Sequence, residues 1–250
     1  MIYWIWLSKI PGIGCHMSRL LLKEFETPEQ IYNATYEQLR KVKGIGPKKA
    51  RQIIQTKDLK QAKKILNDCK KHRIQIMTLN DDIYPLKAKN IQDMPILLYY
   101  KGTIKNYKKS IAIVGSRRCS KEARQNTIDI ATKLTKQGIM IISGMAKGID
   151  SYAHTACLKA GGYTIAVLGN GLDICYPSEH KSLMKEIEKR GLLISEYEPG
   201  TRPQKVNFPR RNRIIAAFAD EIIVTEAGKG SGALITAKYG EQYNRRVRYQ

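Results

Sequence analysis

Residues 111–118 read Ile111-Ala112-Ile113-Val114-Gly115-Ser116-Arg117-Arg118, and the fold turns on them. Four apolar residues in a row, three of them β-branched, suit a short strand buried on both faces. Gly115 stops that strand, and a helix-compatible run starts near Ser120. Strand, glycine turn and helix start form the opening unit of a nucleotide-type α/β fold, in which turn amides and the helix N-terminus seat a phosphate. Arg117 and Arg118 add full charges to the partial charge of the helix end. These eight residues also read as a structural turn with two solvated arginines, so the choice falls to the rest of the chain.

Downstream the same alternation continues. Strands over 111–114, 139–142, 164–168, 192–195 and 221–225 are separated by helices over about 120–137, 147–160, 179–190, 210–219 and 231–243. Apolar strands alternating with helices give an α/β, Rossmann-like, mostly parallel sheet covered on both faces. Ligands of such sheets sit at the C-terminal ends of the strands. Those ends are glycine-rich: Gly115 to Arg118, then Ser143-Gly144-Met145-Ala146-Lys147-Gly148-Ile149-Asp150, then Gly169-Asn170-Gly171-Leu172-Asp173, and Glu226-Ala227-Gly228-Lys229-Gly230-Ser231-Gly232. Four such loops on one sheet edge predict an anion site with several phosphate subsites.

Upstream lies a small all-α region. Ile10-Pro11-Gly12-Ile13-Gly14 and Val42-Lys43-Gly44-Ile45-Gly46-Pro47-Lys48-Lys49-Ala50 each separate two helix-like segments. Paired glycines let the chain turn and present amides at the next helix start. The pattern resembles the helix-hairpin-helix motif, whose hairpin holds a DNA phosphate. The second copy carries Lys48, Lys49 and Arg51 where the first has Cys15, His16 and Met17. The first hairpin is therefore read as mainly structural, and the second as either a DNA contact or a packing element. Domain boundaries are expected at 1–70 for the helices, 71–106 for a connector with edge strands at 74–79 and 95–100, and 107–250 for the sheet.

Among 250 residues, 44 are basic and 22 acidic, a net charge of +22. Residues 1–105 hold 20 basic and 9 acidic groups, and residues 106–250 hold 24 and 13, so each part carries +11. Such a field favours nucleic acid, membrane phosphate or acidic protein, although a lysine-rich proteome yields the same balance. Cys15, Cys69, Cys119, Cys157 and Cys175 are odd in number and lack C-x-x-C spacing, which argues against a disulfide framework and against zinc. No run approaches the roughly 18 apolar residues of a membrane helix, and Met1–Leu7 lacks the basic lead and cleavage site of a signal peptide. A cytoplasmic protein with no membrane partner is expected.

Longer motifs then fall in one consistent order. They are Tyr84-Pro85, Gly115-Ser116-Arg117, Ser143-Gly144-x-Ala146-x-Gly148-Ile149-Asp150, Ala153-His154 and Gly162-x-Thr164 through Gly169-x-Gly171-Leu172-Asp173. Tyr176-Pro177, Ser195-Glu196, Phe208-Pro209-x-Arg211-Asn212-Arg213 and Ser231-Gly232-x-Leu234-Ile235-Thr236-Ala237 follow. Residues 73–249 closely resemble the DNA-processing protein A (DprA, or Smf) family. The resemblance implies an extended Rossmann fold that binds and protects single-stranded DNA, loads the RecA recombinase in natural transformation and forms a homodimer. It implies no known catalytic turnover, and no cofactor and no metal are expected. His180 stands where the family usually has Asn, and Ala217-Phe218 where it has Gly-Leu.

The candidate DNA contacts follow the loops: Gly115, Ser116, Arg117 and Arg118; Ser143, Gly144, Met145, Ala146, Lys147 and Gly148; Asn170; Lys205; Phe208, Arg210, Arg211, Asn212 and Arg213; Lys229, Ser231 and Gly232. Arginine offers bidentate phosphate contacts, and Phe208 serves either to stack a splayed base or to anchor its loop in the core. Arg211 and Arg213, two apart on a helix, cannot face one phosphate together, and one of them is free to bond a carboxylate such as Glu196. Asp150 and His154 have the i, i+4 spacing of an acid–base pair, but the favoured reading is a carboxylate satisfying loop amides beside a packing histidine. Glu226 is read as a ribose contact or a loop cap. No Gly-x-x-x-x-Gly-Lys-Ser/Thr stretch exists to support ATP hydrolysis of the P-loop kind. A small-nucleotide enzyme of Rossmann type is the competing function.

Overall fold

The computed structural model describes residues 1–228 and 230–250. They divide into two compact units, Met1–Leu98 and Tyr99–Gln250.

The first unit is built from α1 (Ile2–Lys9), α2 (Cys15–Phe25), α3 (Pro28–Asn33), α4 (Tyr36–Lys41), α5 (Pro47–Gln55) and α6 (Lys60–Lys71), followed by β1 (Gln75–Thr78) and the short α7 (Leu86–Lys89). Its helices are short because the sequence punctuates them. Thr27 with Gln30 and Thr35 with Gln38 form capping boxes that open α3 and α4. The two glycine hairpins have the same backbone: Gly12 and Gly44 at positive φ, then Gly14 and Gly46 as extended caps of α2 and α5. Trp6 donates to Thr56 O at 2.7 Å and packs edge-on against Tyr32, 5.0 Å between centroids.

Residues 75–98, expected to connect the two regions, belong to this unit. Arg19 of α2 donates to Lys89 O at 2.6 Å and to Met94 O at 3.2 Å, and buried Tyr84 donates to Pro95 O at 2.8 Å. These bonds satisfy buried carbonyls of an irregular segment that has no ladder of its own. Tyr84 of the Tyr-Pro motif is thus a core anchor.

β2 (Leu97–Gly102) runs across the boundary at Leu98, and the second unit then holds β3 (Ser110–Val114), α8 (Lys121–Lys136), β4 (Met140–Ser143), α9 (Ile149–Lys159), β5 (Thr164–Leu168) and α10 (Lys181–Arg190). It continues with β6 (Leu192–Ser195), α11 (Asn207–Phe218), β7 (Glu221–Val224), α12 (Gly232–Gln242) and β8 (Arg246–Tyr249). The strand order is β1-β2-β6-β5-β4-β3-β7-β8. From β6 to β8 all pairs are parallel, whereas β2 joins β6 antiparallel with Tyr99 opposite Ser195. Every residue of β3, β5, β6 and β7 is buried, as the unbroken apolar runs require. Ile111, Ile113, Ile141 and Ile223 face Ala123, Ala131, Leu134, Ile149 and Ala153 of α8 and α9. Each buried isoleucine or leucine of this layer contributes roughly 1.5–3 kcal/mol.

The chain runs outward from β3 through β4, β5 and β6, then returns to place β7 on the other side of β3. The order therefore reverses between β3 and β7, the place where open α/β sheets bind ligands at their C-terminal edge. Residues 115–118 and Glu226 follow those two strands. One helix differs from expectation: α11 begins at Asn207, three residues early. Pro209 lies within its first turn, where a missing N–H forfeits no helical bond.

Candidate nucleic-acid interface

The rim loops are locked to one another from beneath. Gly148 has φ 76°, and a Cβ there would strike the carbonyl oxygen of Ser116, so only glycine lets these two loops meet. The contact is sealed by Ile149 N donating to Ser116 O at 3.2 Å. A Cβ on Gly144 would lie 2.5 Å from Arg211 Nη2. Glycines that read as phosphate seats thus admit neighbouring chain segments.

Arg211 explains why. Only 4% exposed, it donates to Gly144 O at 2.6 Å, to Val167 O and, through Nε, to Asn212 Oδ1 at 3.1 Å. One guanidinium fork thus gathers a carbonyl just past β4 and another near the end of β5. Burial pulls its pKa down to about 10, which still leaves it cationic at neutral pH. Asp150, also buried, accepts from Gly144 N at 3.2 Å and Ala146 N at 3.3 Å. Burial raises its pKa, and the positive charge of Arg211 opposes that rise. His154 Nδ1 pairs with Thr164 Oγ1 at 2.7 Å. Burial first, then Arg211 and His180, lower the His154 pKa to about 3, so the ring is neutral. Asp150 thus serves loop amides and His154 packs against Thr164, whereas their spacing alone also suited an acid–base pair.

Several candidate contacts prove to be internal. Ser143 is fully buried and donates to Ile113 O at 2.6 Å. Asn170 is buried and donates to Gly171 O and Ile174 O. Met145 is buried at φ 57°, its carbonyl accepting from His180 Nδ1 at 3.0 Å, so His180 props the loop after β4. Asn212 donates to Gly232 O at 2.9 Å, fixing the start of α12 to α11. Arg213 pairs with Glu196, the carboxylate partner anticipated for one of the two arginines. Of the residues expected as DNA contacts, the structure thus engages the side chains of Ser143, Asn170, Arg211, Asn212 and Arg213 within the protein and buries Met145. The amides of Gly144 and Ala146 are likewise taken by Asp150.

What faces solvent is narrower. Arg117, Arg118, Lys147, Lys205, Arg210 and Gly232 are exposed; Gly115, Ser116, Ala146, Gly148, Phe208 and Ser231 are partly buried; Gly144 is buried. Lys229 lies outside the described residues. The Arg117 guanidinium stands 5.7 Å from the Phe208 ring centroid, and Tyr176, 44% exposed, lies 5.4 Å from the same ring. Lys147 meets Glu179 at 2.8 Å in an ion pair whose side chains are each 55% exposed. That bond holds the Glu179 carboxyl below its usual pKa. Ser116 donates to Arg118 O and accepts from Arg118 N, so its hydroxyl closes the turn. Glu226 accepts from Ser120 N and Oγ at 3.0 and 2.8 Å, and Ser120 caps α8. The carboxylate therefore joins the two sides of the switch point, with its pKa lowered by those bonds.

Sequence reading missed Tyr176 as a neighbour of Phe208 and Glu179 as the partner of Lys147. Both flank Pro177 in the loop after β5, where only the aromatic–proline pair stood out. Among the described residues, no cluster of His, Cys, Asp and Glu suits a metal ion, and no helix is long and apolar enough to cross a membrane. Burial raises the thiol pKa values of Cys119, Cys157 and Cys175, the reverse of an activated nucleophile.

A parallel sheet lengthened by one antiparallel strand, with a cationic rim at its switch point, defines an α/β protein of the extended Rossmann type carrying a tandem helical hairpin. Residues 75–249 match the family described as DNA recombination-mediator protein A, and residues 7–56 match the SAM-like helix-hairpin-helix tandem. The chain belongs to the DNA recombination-mediator protein A family, the DprA/Smf proteins. It is 38% identical to Protein Smf of Synechocystis over 98% of this chain and 63% of that protein. The X-ray structure of DprA from Streptococcus pneumoniae superposes with a TM-score of 0.83 at 34% identity, covering 100% of this chain and 86% of that one. A Helicobacter pylori DprA structure, described for its single-stranded DNA binding mode, gives 0.65 at 32% identity over 71% of this chain and 81% of that one. The chain spans about six-tenths of the length of the curated relatives it matches.

Proposed function

We propose that this chain binds single-stranded DNA along the C-terminal rim of its sheet, with Arg117 and Lys147 as the leading phosphate contacts. The observation that carries this reading is their setting: two exposed cations on adjacent loops, fastened together at Gly148 and Ser116 over a layer in which Ser143, Asp150 and Arg211 are already hydrogen-bonded. Cations on loops that are already fastened together meet a phosphate with less ordering cost than cations on separate loops, and such contacts are charge-assisted. Arg118, Lys205, Arg210 and the backbone of residues 115–118, 147–148 and 231–232 extend the proposed contact. Lys229 belongs to the same proposal on sequence grounds. Phe208 and Tyr176 offer ring faces beside Arg117, the combination on which unstacked bases rest in proteins that hold single strands. The single-stranded DNA binding mode described for the H. pylori relative supports the reading.

Family membership extends the proposal. The bound strand is protected and RecA recombinase is loaded onto it during natural transformation, in the cytoplasm, by a homodimer without catalytic turnover. Asp150 and His154, buried and already engaged, offer no acid–base pair to substrate, which favours binding over hydrolysis.

The test is a gel shift of short oligothymidylate against equal-length duplex across a salt series. Contact with about four phosphates of a single strand predicts a log–log salt slope near −3. A shallow slope with tight binding of free mononucleotide would instead identify a small-nucleotide site.

A further inference from the structure

A groove of about 310 Å³ opens beside the rim, between α8, α9 and the first turn of α10. Ile128 and Leu183 supply apolar wall, and Tyr152 presents its ring. The Arg124 guanidinium lies 4.7 Å from the Tyr152 ring centroid. Exposed Lys159 lines the groove from the end of α9. Glu179 lines it as well, and the same carboxylate bridges to Lys147 at 2.8 Å. The groove therefore adjoins the cation assigned to the strand.

We propose that this groove is a further subsite that takes one nucleotide unit, the next along the strand after the phosphate held by Lys147. The inference rests on the strand-binding reading above and adds to it a place where a base leaves the rim. Its chemistry matches on three counts. The volume is at the lower end of the roughly 300–1,000 Å³ of small-ligand pockets, enough for one nucleotide and too little for a peptide helix. The Arg124 guanidinium lying over the Tyr152 ring gives a stacking platform for any base, because every base has a π face and arginine stacks as well as pairs. Arg124 and Lys159 give the lining two positive charges against the single negative charge of Glu179, and that carboxylate is already neutralised by Lys147. Glu179 thus marks the boundary between subsites, and an incoming phosphate joins it on the Lys147 ammonium, whose three donors serve both groups.

A nucleotide unit reaches such a groove either as part of the strand or free in solution, and oligomer length separates the two. Fluorescence anisotropy would be measured on the full chain with labelled oligothymidylates of roughly 4 and 8 nucleotides, within the span of single-strand site sizes. Tyr152→Leu is expected to weaken the longer oligomer roughly ten-fold and the shorter one less than two-fold, with Tyr152→Phe restoring wild-type affinity. Arg124→Ala, at an exposed position, should show the same length dependence. Losses that are equal for both lengths, or absent for both, while Arg117→Ala weakens both, overturn the subsite and leave the rim reading intact. Thymidine monophosphate displacing the longer oligomer from wild type at micromolar concentration also overturns it, in favour of a free-nucleotide pocket. Arg117→Ala and Lys147→Ala without effect at either length overturn the strand reading, and this inference with it.

Discussion

The helical hairpin at Gly44 and the sheet rim at Gly115 and Gly148 use the same ingredients: glycine turns, helix starts and lysine or arginine. The charge is shared equally too, +11 over residues 1–105 and +11 over 106–250. Their organisation differs. At the hairpin, Lys49 donates back to Gly44 O at 3.3 Å, while Lys48 and Arg51 project from a single helix start. At the rim, several loops are tied through Arg211, Asp150, Asn212 and Glu226, and two of those loops carry the exposed cations Arg117 and Lys147. Net charge sets how strongly a polyanion is drawn in, and a shared buried scaffold sets whether cations act together on one ligand.

The severest way to break this contrast is to remove the scaffold. Arg211→Ala leaves Asp150 buried without its compensating charge and three groups without a donor, and is expected to cost roughly 3–5 kcal/mol in urea denaturation. A loss below about 1 kcal/mol would mean that the loops hold without it. Next come the exposed rim cations. Arg117→Ala and Lys147→Ala should each weaken single-strand binding by roughly 1–3 kcal/mol with unchanged circular dichroism. Unchanged binding in both removes the rim as the site.

The third test uses acid. His154 is neutral in the folded state, with a pKa near 3, and titrates near 6.5 when unfolded. The unfolded chain therefore binds the extra proton between those values, so stability is full above pH 6.5 and falls as pH drops. About 1.5 kcal/mol should be gone by pH 5.5, read as a lower melting temperature. His154→Gln should flatten that slope; an equal slope in the variant would assign it to other groups. The smallest effect belongs to the hairpin. Lys48→Glu with Lys49→Glu should reduce duplex affinity about five-fold and single-strand affinity no more than about two-fold at moderate salt. Equal losses would mean that both regions act through net charge alone.

The order of elements was legible from the first strand onward. Apolar runs such as Thr164–Leu168 and Leu192–Ser195 are too short for helices and too uniform for exposed strands, so their positions followed from composition. The N-terminus of α11 was harder, because Pro209 reads as a stop in sequence and sits comfortably in a first turn. Among site residues, charge type was legible but exposure was not. Arg210, Arg211 and Arg213 are alike on paper, yet one faces solvent, one gathers strand-end carbonyls and one meets Glu196.

By itself the sequence determined the alternation of buried strands and helices, the two hairpins, and which loops gather at one sheet edge. Those properties depend on residue type and spacing along the chain, and local physics reads them directly. Only the tertiary structure decided which glycines serve close approach, which amides Asp150 claims, and that Arg117 and Lys147 remain outside while Arg211 goes in. Each of these turns on which atoms meet across long separations, and burial inverts the meaning of a charged residue: in solvent a guanidinium seeks a phosphate, and in the core it must find carbonyls of its own chain.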